Sequence, residues 1–392
     1  MKNNNKITCR CHECDLAVTL PELALQQKAL CPRCGYVLTL VRKNANERIL
    51  ALSITSIVFM LASLPFEFLS FQASGLENKF NLLQSFTILF ANNYPILATI
   101  EIVTIFIIPI IILSGLFYVL FPLRFNAPPR HGKKVLDVIF MLLPWAMVEI
   151  FLVGVLVSLV KIMSMADIGI GPSFVAFILF TVAMTSVLLH LDKVQLNQQL
   201  EQASLKGNSQ LATTTVIERD TRDTKKSSML SIQKTWALII TATVFYIPAN
   251  LLPIMNTRLL GQDEPSTIFG GVVLLWRLGS YPISAIIFIA SVAVPIAKIL
   301  ILAWLNFSVQ RNHTDKTMER LKLYRIAEFV GRWSMVDIFV VIILASLIQL
   351  GNTMSIYPGP ATLAFSGSVI VTMLAAMSFE PKLIWQVPDV QK

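Results

Sequence analysis

Two long apolar stretches of the sequence resemble each other and start 188 residues apart, at Trp145 and at Trp333. Each is apolar on every side of a helix and carries one acid, Glu149 in the first stretch and Asp337 in the second. Such a stretch is typical of a membrane-spanning helix and is too long for an ordinary core helix. Because a carboxylate in hydrocarbon is costly, both acids are candidate functional residues.

The composition indicates that most of the chain is built from such spans. Hydrophobic residues make up 55% of the 392 residues, charged residues only 14%, and the mean hydropathy is +0.67. Several apolar runs reach the ~20 residues that a helix needs to cross a bilayer. We therefore predict an all-α polytopic membrane protein. The net charge of +9 calls for no nucleic-acid partner, since Lys and Arg in the loops on one side of a membrane account for it.

The predicted spans form two sets of four. They begin near Arg48, Tyr94, Leu136 and Gly171 in the first half, and near Thr235, Tyr281, Glu328 and Pro358 in the second. An even number of spans per set makes both sets enter the membrane in the same direction. We therefore expect eight transmembrane helices arranged as two parallel four-helix repeats.

The hydrophilic segments divide the chain further. The predicted units are a small ribbon, a first repeat, a linker, a second repeat and a C-terminal tail, over residues 1–45, 46–190, 191–234, 235–385 and 386–392. The linker is rich in Gln, Ser, Thr and mixed charge, which predicts a partly disordered segment.

The cysteines are confined to the N-terminal ribbon. Cys11 and Cys14 form one Cys-x-x-Cys knuckle, and Cys31 and Cys34 form another, with sixteen residues between the two knuckles. Two knuckles at this spacing predict a closed structural Zn²⁺ site with four thiolate ligands. Cys9 and His12 remain as alternative ligands, and a reducible dithiol pair is the disfavoured alternative.

Loop charge predicts the orientation. The basic loops at 122–135 and 307–327 fall on the same side as the ribbon, and the loops on the other side are poorer in Lys and Arg. By the positive-inside rule the ribbon and both termini are cytoplasmic, where reducing conditions suit thiolate ligands. The N-terminal residues are followed by cysteines and not by an apolar segment, which argues against a signal peptide.

Several charged residues are predicted at membrane depth. Asp337 and Lys298 lie at similar depths, about 12–13 Å from the ribbon side at 1.5 Å per residue, so we expect them to form an ion pair. We favour a proton- or ion-responsive switch over a purely structural pair. An aliphatic residue occupies the position equivalent to Lys298 in the first repeat, so Glu149 lacks that partner.

Four further charges lie nearer the membrane edges. Lys161 and Glu101 are expected to reach the interface with their long side chains. Arg332 is expected to pair with Glu328, four residues earlier on the same helix. Pro109 and Pro295 lie mid-span at equivalent places, and the kinks they predict favour a cavity between the spans. No hydrolase triad, nucleotide-binding glycine loop or haem motif is present, so we predict that the protein is not an enzyme.

These motifs together resemble the paraquat-inducible protein A family, the PqiA- and LetA-like inner-membrane proteins of Gram-negative bacteria. The similarity rests on the ribbon cysteines, the duplicated four-span unit, the Tyr-Pro at 94–95 and 281–282, and the segment from Arg332 to Asp337. It implies a bacterial inner-membrane protein that moves phospholipid together with a periplasmic MCE-domain partner. The family usually has a ribbon before each repeat, whereas the 191–234 linker contains no cysteine.

Two other functions are compatible with the residues. One is a secondary transporter for a small amphipathic solute that works without a partner. The other is a zinc-scaffolded membrane sensor, in which the ribbon and not the buried charges would be indispensable.

Overall fold

The structure is a computed structural model of the full chain. It describes residues 7–20, 23–73, 76–125, 127, 129–162, 167–207, 221–259, 262–277, 279, 281–311, 316–349 and 354–385. The predicted C-terminal tail, 386–392, lies outside these residues.

The N-terminal ribbon consists of two antiparallel hairpins. Its strands are β1 (Ile7–Arg10), β2 (Ala17–Leu20), β3 (Lys28–Leu30) and β4 (Val37–Leu40), with β1 paired to β2 and β3 to β4. Each hairpin turns at one of the Cys-x-x-Cys knuckles. The knuckles close through left-handed residues, Asp15 with a φ of 55° and Gly35 with a φ of 69°. The glycine at 35 is therefore required by the turn itself.

The first half of the membrane unit contains two regular spans and two interrupted ones. Its helices are α1 (Ala45–Ala62), α2 (Leu82–Ala91), α3 (Pro95–Ile102), α4 (Ile108–Arg124), α5 (Gly132–Leu142), α6 (Val148–Ile162) and α7 (Pro172–His190). Its strands are β5 (Leu69–Ala73), β6 (Leu76–Phe80) and β7 (Asp167–Ile170). Helix α8 (Lys193–Gly207) follows on the ribbon side.

The second half has the same order of elements. Its helices are α9 (Thr221–Leu251), α10 (Ile268–Arg277), α11 (Tyr281–Phe288), α12 (Val294–Gln310), α13 (Thr317–Trp333), α14 (Val336–Leu347) and α15 (Pro360–Ser378). Its strands are β8 (Met255–Leu259), β9 (Gln262–Ser266) and β10 (Met354–Pro358). A 3₁₀ turn, Pro381–Trp385, ends the described chain.

Eight helices among the described residues are long and apolar enough to cross a membrane. They cover Ala45–Ala62, Pro95–Arg124, Gly132–Val160, Pro172–His190, Met229–Leu251, Ser284–Gln310, Thr317–Leu347 and Pro360–Ser378. The prediction of a helical membrane protein with eight spans and an N-terminal cysteine cluster is confirmed.

Two small sheets, which the all-α prediction missed, close the end of the molecule opposite the ribbon. Strands β6, β5 and β7 form one antiparallel sheet, and β10, β8 and β9 form the other. A glycine follows the last strand of each half because the backbone passes very close to a carbonyl there. A Cβ on Gly171 would lie 1.9 Å from the Glu67 oxygen, and a Cβ on Gly359 would lie 2.1 Å from the Pro253 oxygen.

A chain of edge-to-face phenylalanines joins the two halves through the core. The rings of Phe68 and Phe177 are 5.8 Å apart, those of Phe177 and Phe151 are 5.4 Å apart, and those of Phe151 and Phe339 are 5.5 Å apart. All four side chains are at most 1% exposed. Phe339 belongs to the second half, so one continuous apolar core holds the halves together.

The segment after the first half is more ordered than the sequence indicates. Residues 193–207 form helix α8, which packs along α5, and α9 begins at Thr221 and therefore inside the predicted linker. The polar side chains of α8 explain the difference, because Asp192 and Gln195 bond to the ribbon strand β4 instead of to water. Residues 208–220, the rest of the predicted linker, lie outside the described chain.

Candidate functional site

The four knuckle cysteines form one buried cluster. The Sγ atoms of Cys11, Cys14, Cys31 and Cys34 lie within 4.8 Å of one another, and two of the pairs are 3.4 Å apart. A tetrahedral Zn²⁺ with Zn–S bonds of about 2.3 Å would place its sulfurs about 3.8 Å apart. The arrangement therefore fits a four-thiolate metal site. Cys9 is free and lies outside the cluster.

The thiols of this cluster differ in acidity. Burial raises the pKa of Cys14 to about 11 and also raises the pKa of Cys34. Burial acts in the same direction on Cys31, but the backbone amides of Cys34 and Arg33 outweigh it and lower the pKa of Cys31 to about 7. The cluster thus contains one thiol that loses its proton near neutral pH, and a bound cation would assist the others.

The ribbon contacts both halves of the membrane unit. Arg325 of α13 donates hydrogen bonds from Nε to Glu13 at 2.9 Å and from Nη2 to the Cys34 carbonyl at 3.0 Å. On the other side, Asp192, just before α8, accepts hydrogen bonds from the Thr39 hydroxyl at 2.7 Å and the Leu40 amide at 3.0 Å. The ribbon therefore bridges the end of the first half and the ribbon side of the second.

The third and seventh spans are interrupted immediately before their acids. Helix α5 ends in a 3₁₀ turn at Leu143–Trp145, and α6 restarts at Val148. Helix α13 ends at Trp333, and α14 restarts at Val336. Glu149 and Asp337 are consequently second in their half-helices, where the positive end of the helix dipole favours a carboxylate. The continuous spans expected from the sequence are wrong at these two points.

The two acid-bearing half-helices pack directly against each other. Gly154 of α6 faces Phe339 of α14, and a Cβ at position 154 would lie 3.0 Å from the Cβ of Phe339. One carboxylate oxygen of each acid, Oε2 of Glu149 and Oδ2 of Asp337, is shielded from solvent and has no hydrogen-bond partner. Ser291 in the neighbouring π-helical turn is the hydrogen-bonding partner of the Asp337 carboxylate.

The expected ion pair between Asp337 and Lys298 is not formed. Lys298 is 3% exposed, and its Nζ has no hydrogen-bond partner. Its ammonium group lies instead beside Gly331 of α13, where a Cβ would approach it to 2.7 Å. The depth estimate placed Asn306 and Glu328 at the same level, whereas Lys298 lies beside Gly331, only three residues after Glu328 and six before Asp337.

The second and sixth spans each contain a π-helical turn just before their mid-span prolines. These turns cover Val103–Ile107 before Pro109 and Ile289–Ala293 before Pro295. A π turn shifts the hydrogen-bond ladder by one residue and absorbs part of the irregularity that a proline imposes. In the sixth span this turn carries Ser291.

Glu101 is buried and does not reach the interface, so that prediction is wrong. It is 1% exposed, and its Oε1 accepts a 2.6 Å hydrogen bond from the hydroxyl of Ser85 on helix α2. Its other oxygen has no partner. Lys161 lies near the end of α6, but its side chain is outside the described part of the structure.

A cavity of about 640 Å³ lies between the ribbon and the two halves. Its walls are largely apolar, with side chains from the ribbon, the first half and the second half such as Val37, Phe140, Leu188, Phe329, Met373 and Met377. Five charged residues also line it, namely Glu13, Lys298, Arg325, Glu328 and Arg332. Arg332 and Glu328, the expected helix pair, both line this cavity, and Arg332 interacts electrostatically with the Glu328 carboxylate.

The sequence relationships of the chain agree with this architecture. The model of the family described as Paraquat-inducible protein A matches residues 46–201 and again residues 232–388. The chain is 37% identical to the intermembrane transport protein PqiA of Escherichia coli (strain K12), over 96% of this chain and 94% of that protein. No solved structure matches it.

Two more distant relatives align over nearly the whole chain. A probable intermembrane transport protein of Haemophilus influenzae is 27% identical over 98% of this chain and 97% of its own length. The lipophilic envelope-spanning tunnel protein A of Escherichia coli (strain K12) is 27% identical over 96% of this chain and 90% of its own length. With the family model covering both halves, the chain belongs to the paraquat-inducible protein A family.

Proposed function

We propose that this protein is the inner-membrane subunit of an MCE-type intermembrane lipid transport system. In this role it exchanges phospholipid between the inner membrane and a tunnel formed by a periplasmic MCE-domain protein. The names of its relatives, an intermembrane transport protein and a lipophilic envelope-spanning tunnel protein, support a transport role of this kind. The observation that carries the proposal is the cavity between the two halves, whose apolar walls include the buried cation Lys298.

The orientation and the metal form part of the same proposal. The ribbon and both termini face the cytoplasm, and the two halves are parallel repeats that share one direction in the membrane. The ribbon holds one structural Zn²⁺ through Cys11, Cys14, Cys31 and Cys34. The fit of the sulfur spacing to a tetrahedral site supports this assignment.

The buried charges couple transport to protonation in this proposal. Asp337 and Lys298 act as separate groups and not as a closed pair, since each has a buried polar atom without a partner. Glu149 and Arg332 are further members of the charge network, and Lys161 stays a predicted member. A carboxylate with one unpartnered oxygen in a dry setting is well suited to gain and lose a proton as the surrounding helices rearrange.

Replacement of Asp337 tests this coupling. We expect Asp337→Asn to abolish lipid transfer between labelled liposomes containing the protein and its MCE partner, while insertion and thermal stability are retained. Asp263→Asn is the matched control, because Asp263 lies on an exposed strand at the opposite end of the molecule and pairs with the exposed Arg258. Unchanged transfer by Asp337→Asn would remove the coupling from the proposal.

Affinity purification in mild detergent, followed by mass spectrometry of bound proteins and lipids, separates the candidate functions. An MCE-domain protein that co-purifies with phospholipid supports the lipid transport system. A protein that transports an amphipathic solute with no such partner would instead be a stand-alone secondary transporter.

A further inference from the structure

The cavity beneath the ribbon contains a buried lysine amine for which the described residues supply no hydrogen-bond partner. Lys298 is 3% exposed, lines the cavity, and has no hydrogen-bond partner for its Nζ. An ammonium group in that state is unfavourable, since a buried charge is normally paired and hydrogen-bonded. An anionic group beside Nζ would supply the missing charge-assisted hydrogen bond.

The other charges around the cavity leave Lys298 without an acid of its own. Glu13 accepts hydrogen bonds from both Nε and Nη2 of Arg325, so the charges of these two residues neutralise each other. Of the remaining three, Lys298 and Arg332 are cations and Glu328 is the only acid. The cavity therefore has one positive charge in excess, and an anion would neutralise it.

The shape and lining of the cavity restrict the kind of anion. A volume of about 640 Å³ is far larger than a single inorganic ion needs and falls within the ~300–1,000 Å³ common for ligand pockets. Its walls are mostly apolar, and two of the lining side chains, Phe329 and Met377, are exposed. The cavity thus combines charged groups with an apolar lining, which matches an amphiphile.

We propose that this cavity binds the phosphate group of an anionic amphiphile, with Lys298 and Arg332 as its ligands and the ribbon residues 35–37 as its roof. The proposal rests on the lipid transport function above and names the part of the lipid that is recognised. An ammonium and a guanidinium on one side of a phosphate make charge-assisted hydrogen bonds to it, with the apolar walls contacting the rest of the molecule.

The test uses the full-length protein, loaded with zinc and purified in mild detergent. Binding of phosphatidylglycerol, phosphatidylcholine and glycerol 3-phosphate is measured separately by native mass spectrometry and thermal shift. We expect phosphatidylglycerol to bind about tenfold more tightly than phosphatidylcholine, and Lys298→Met and Arg332→Gln each to abolish the preference. Arg311→Gln is the control, since Arg311 lies exposed at the end of α12 and does not line the cavity.

The outcomes distinguish a lipid from a soluble molecule as the source of the phosphate. They also distinguish this proposal from the lipid transport proposal. Glycerol 3-phosphate binding as tightly as phosphatidylglycerol, and lost in both variants, would support a phosphate site that takes a soluble ligand. Equal binding of the two lipids, or a preference that persists in both variants, would overturn the inference. Because this assay measures binding and not transfer, it tests the two proposals independently. A protein that transfers lipid without the binding preference would contradict only the phosphate site, and a protein that binds lipid without transferring it would contradict only the transport function.

Discussion

Gly331 is the residue that makes room for the Lys298 ammonium. A Cβ at this position would lie 2.7 Å from Nζ and 2.8 Å from Cε. Because these atoms form the flexible end of a lysine, Gly331→Ala displaces the charge at little cost to the fold. We expect roughly tenfold slower lipid transfer, as reacting or binding groups tolerate little misplacement, with stability changed by less than about 0.5 kcal/mol.

The control for this substitution is Gly271→Ala. A Cβ at position 271 would meet nothing within 4 Å, so it tests the gain of a helical alanine alone. Both variants are compared by transfer rate and by thermal melting in detergent. Equal transfer rates in the two variants would mean that the position of the Lys298 ammonium has no part in transport.

The metal site offers a second comparison between neighbouring residues. Cys31→Ala removes a ligand and should reduce bound zinc from one ion per chain to none, whereas Cys9→Ala should retain it, because Cys9 lies outside the cluster. Elemental analysis of the purified proteins measures the difference. Because burial raises the pKa of Cys14 and Cys34, protons compete with the metal, and acidification should release zinc from the unmodified protein.

The sequence was sufficient to predict the structural position of a residue where that position depends on residues close to it in the chain. The clustering of the four cysteines follows from the knuckle spacing, which a short hairpin turn determines almost alone. Glu101 could not be placed in this way. Its burial depends on Ser85 of helix α2, sixteen residues earlier, and sequence position near the end of a span does not distinguish an acid at the interface from one beneath a neighbouring helix.

At the scale of the secondary-structure elements, helices α6 and α14 pack directly against each other and so join the two halves. Gly154→Val would force its side chain against Phe339, whose Cβ would lie only 3.0 Å from a Cβ at position 154. We expect a loss of about 1–3 kcal/mol, the usual cost of overpacking, measured by thermal unfolding. Gly271→Val, in open space, should cause no comparable loss, and equal melting of the two variants would contradict the importance of this contact.

The sequence predicts the number of spans well but not their interruptions. A hydropathy profile predicts single helices for the runs from 132 to 160 and from 317 to 347, since the apolar residues continue through both breaks. The π-helical turns before Pro109 and Pro295 and the sheets opposite the ribbon were missed for a related reason. Their geometry depends on pairing and packing between segments far apart in the chain, as between β5 and β7.

At the scale of the whole molecule, the ribbon holds the two halves at one end. Arg325→Ala would leave Glu13, whose side chain is 7% exposed, without its partner. We expect this to weaken ribbon docking by about 1–3 kcal/mol and to speed amide hydrogen exchange in strands β1 to β4.

The control for ribbon docking is Arg10→Ala. Arg10 pairs with Asp15 on the ribbon surface, where the two side chains are 60% and 50% exposed, so its loss should cost at most about 1 kcal/mol. Exchange in the ribbon should then stay near that of the unmodified protein. If both variants exchange alike, the Glu13–Arg325 contact does not hold the ribbon in place.

The bridging position of the ribbon has a consequence for the order in which the protein is made. Glu13 is synthesised 312 residues before Arg325, and Thr39 is synthesised 153 residues before Asp192. The ribbon can therefore capture its metal and fold while the docking surfaces do not yet exist. A ribbon that has folded at this stage stays undocked until most of the spans have left the ribosome and entered the bilayer. Its final seating can occur only after insertion of the seventh span is under way, which makes a seated ribbon a late marker of correct assembly.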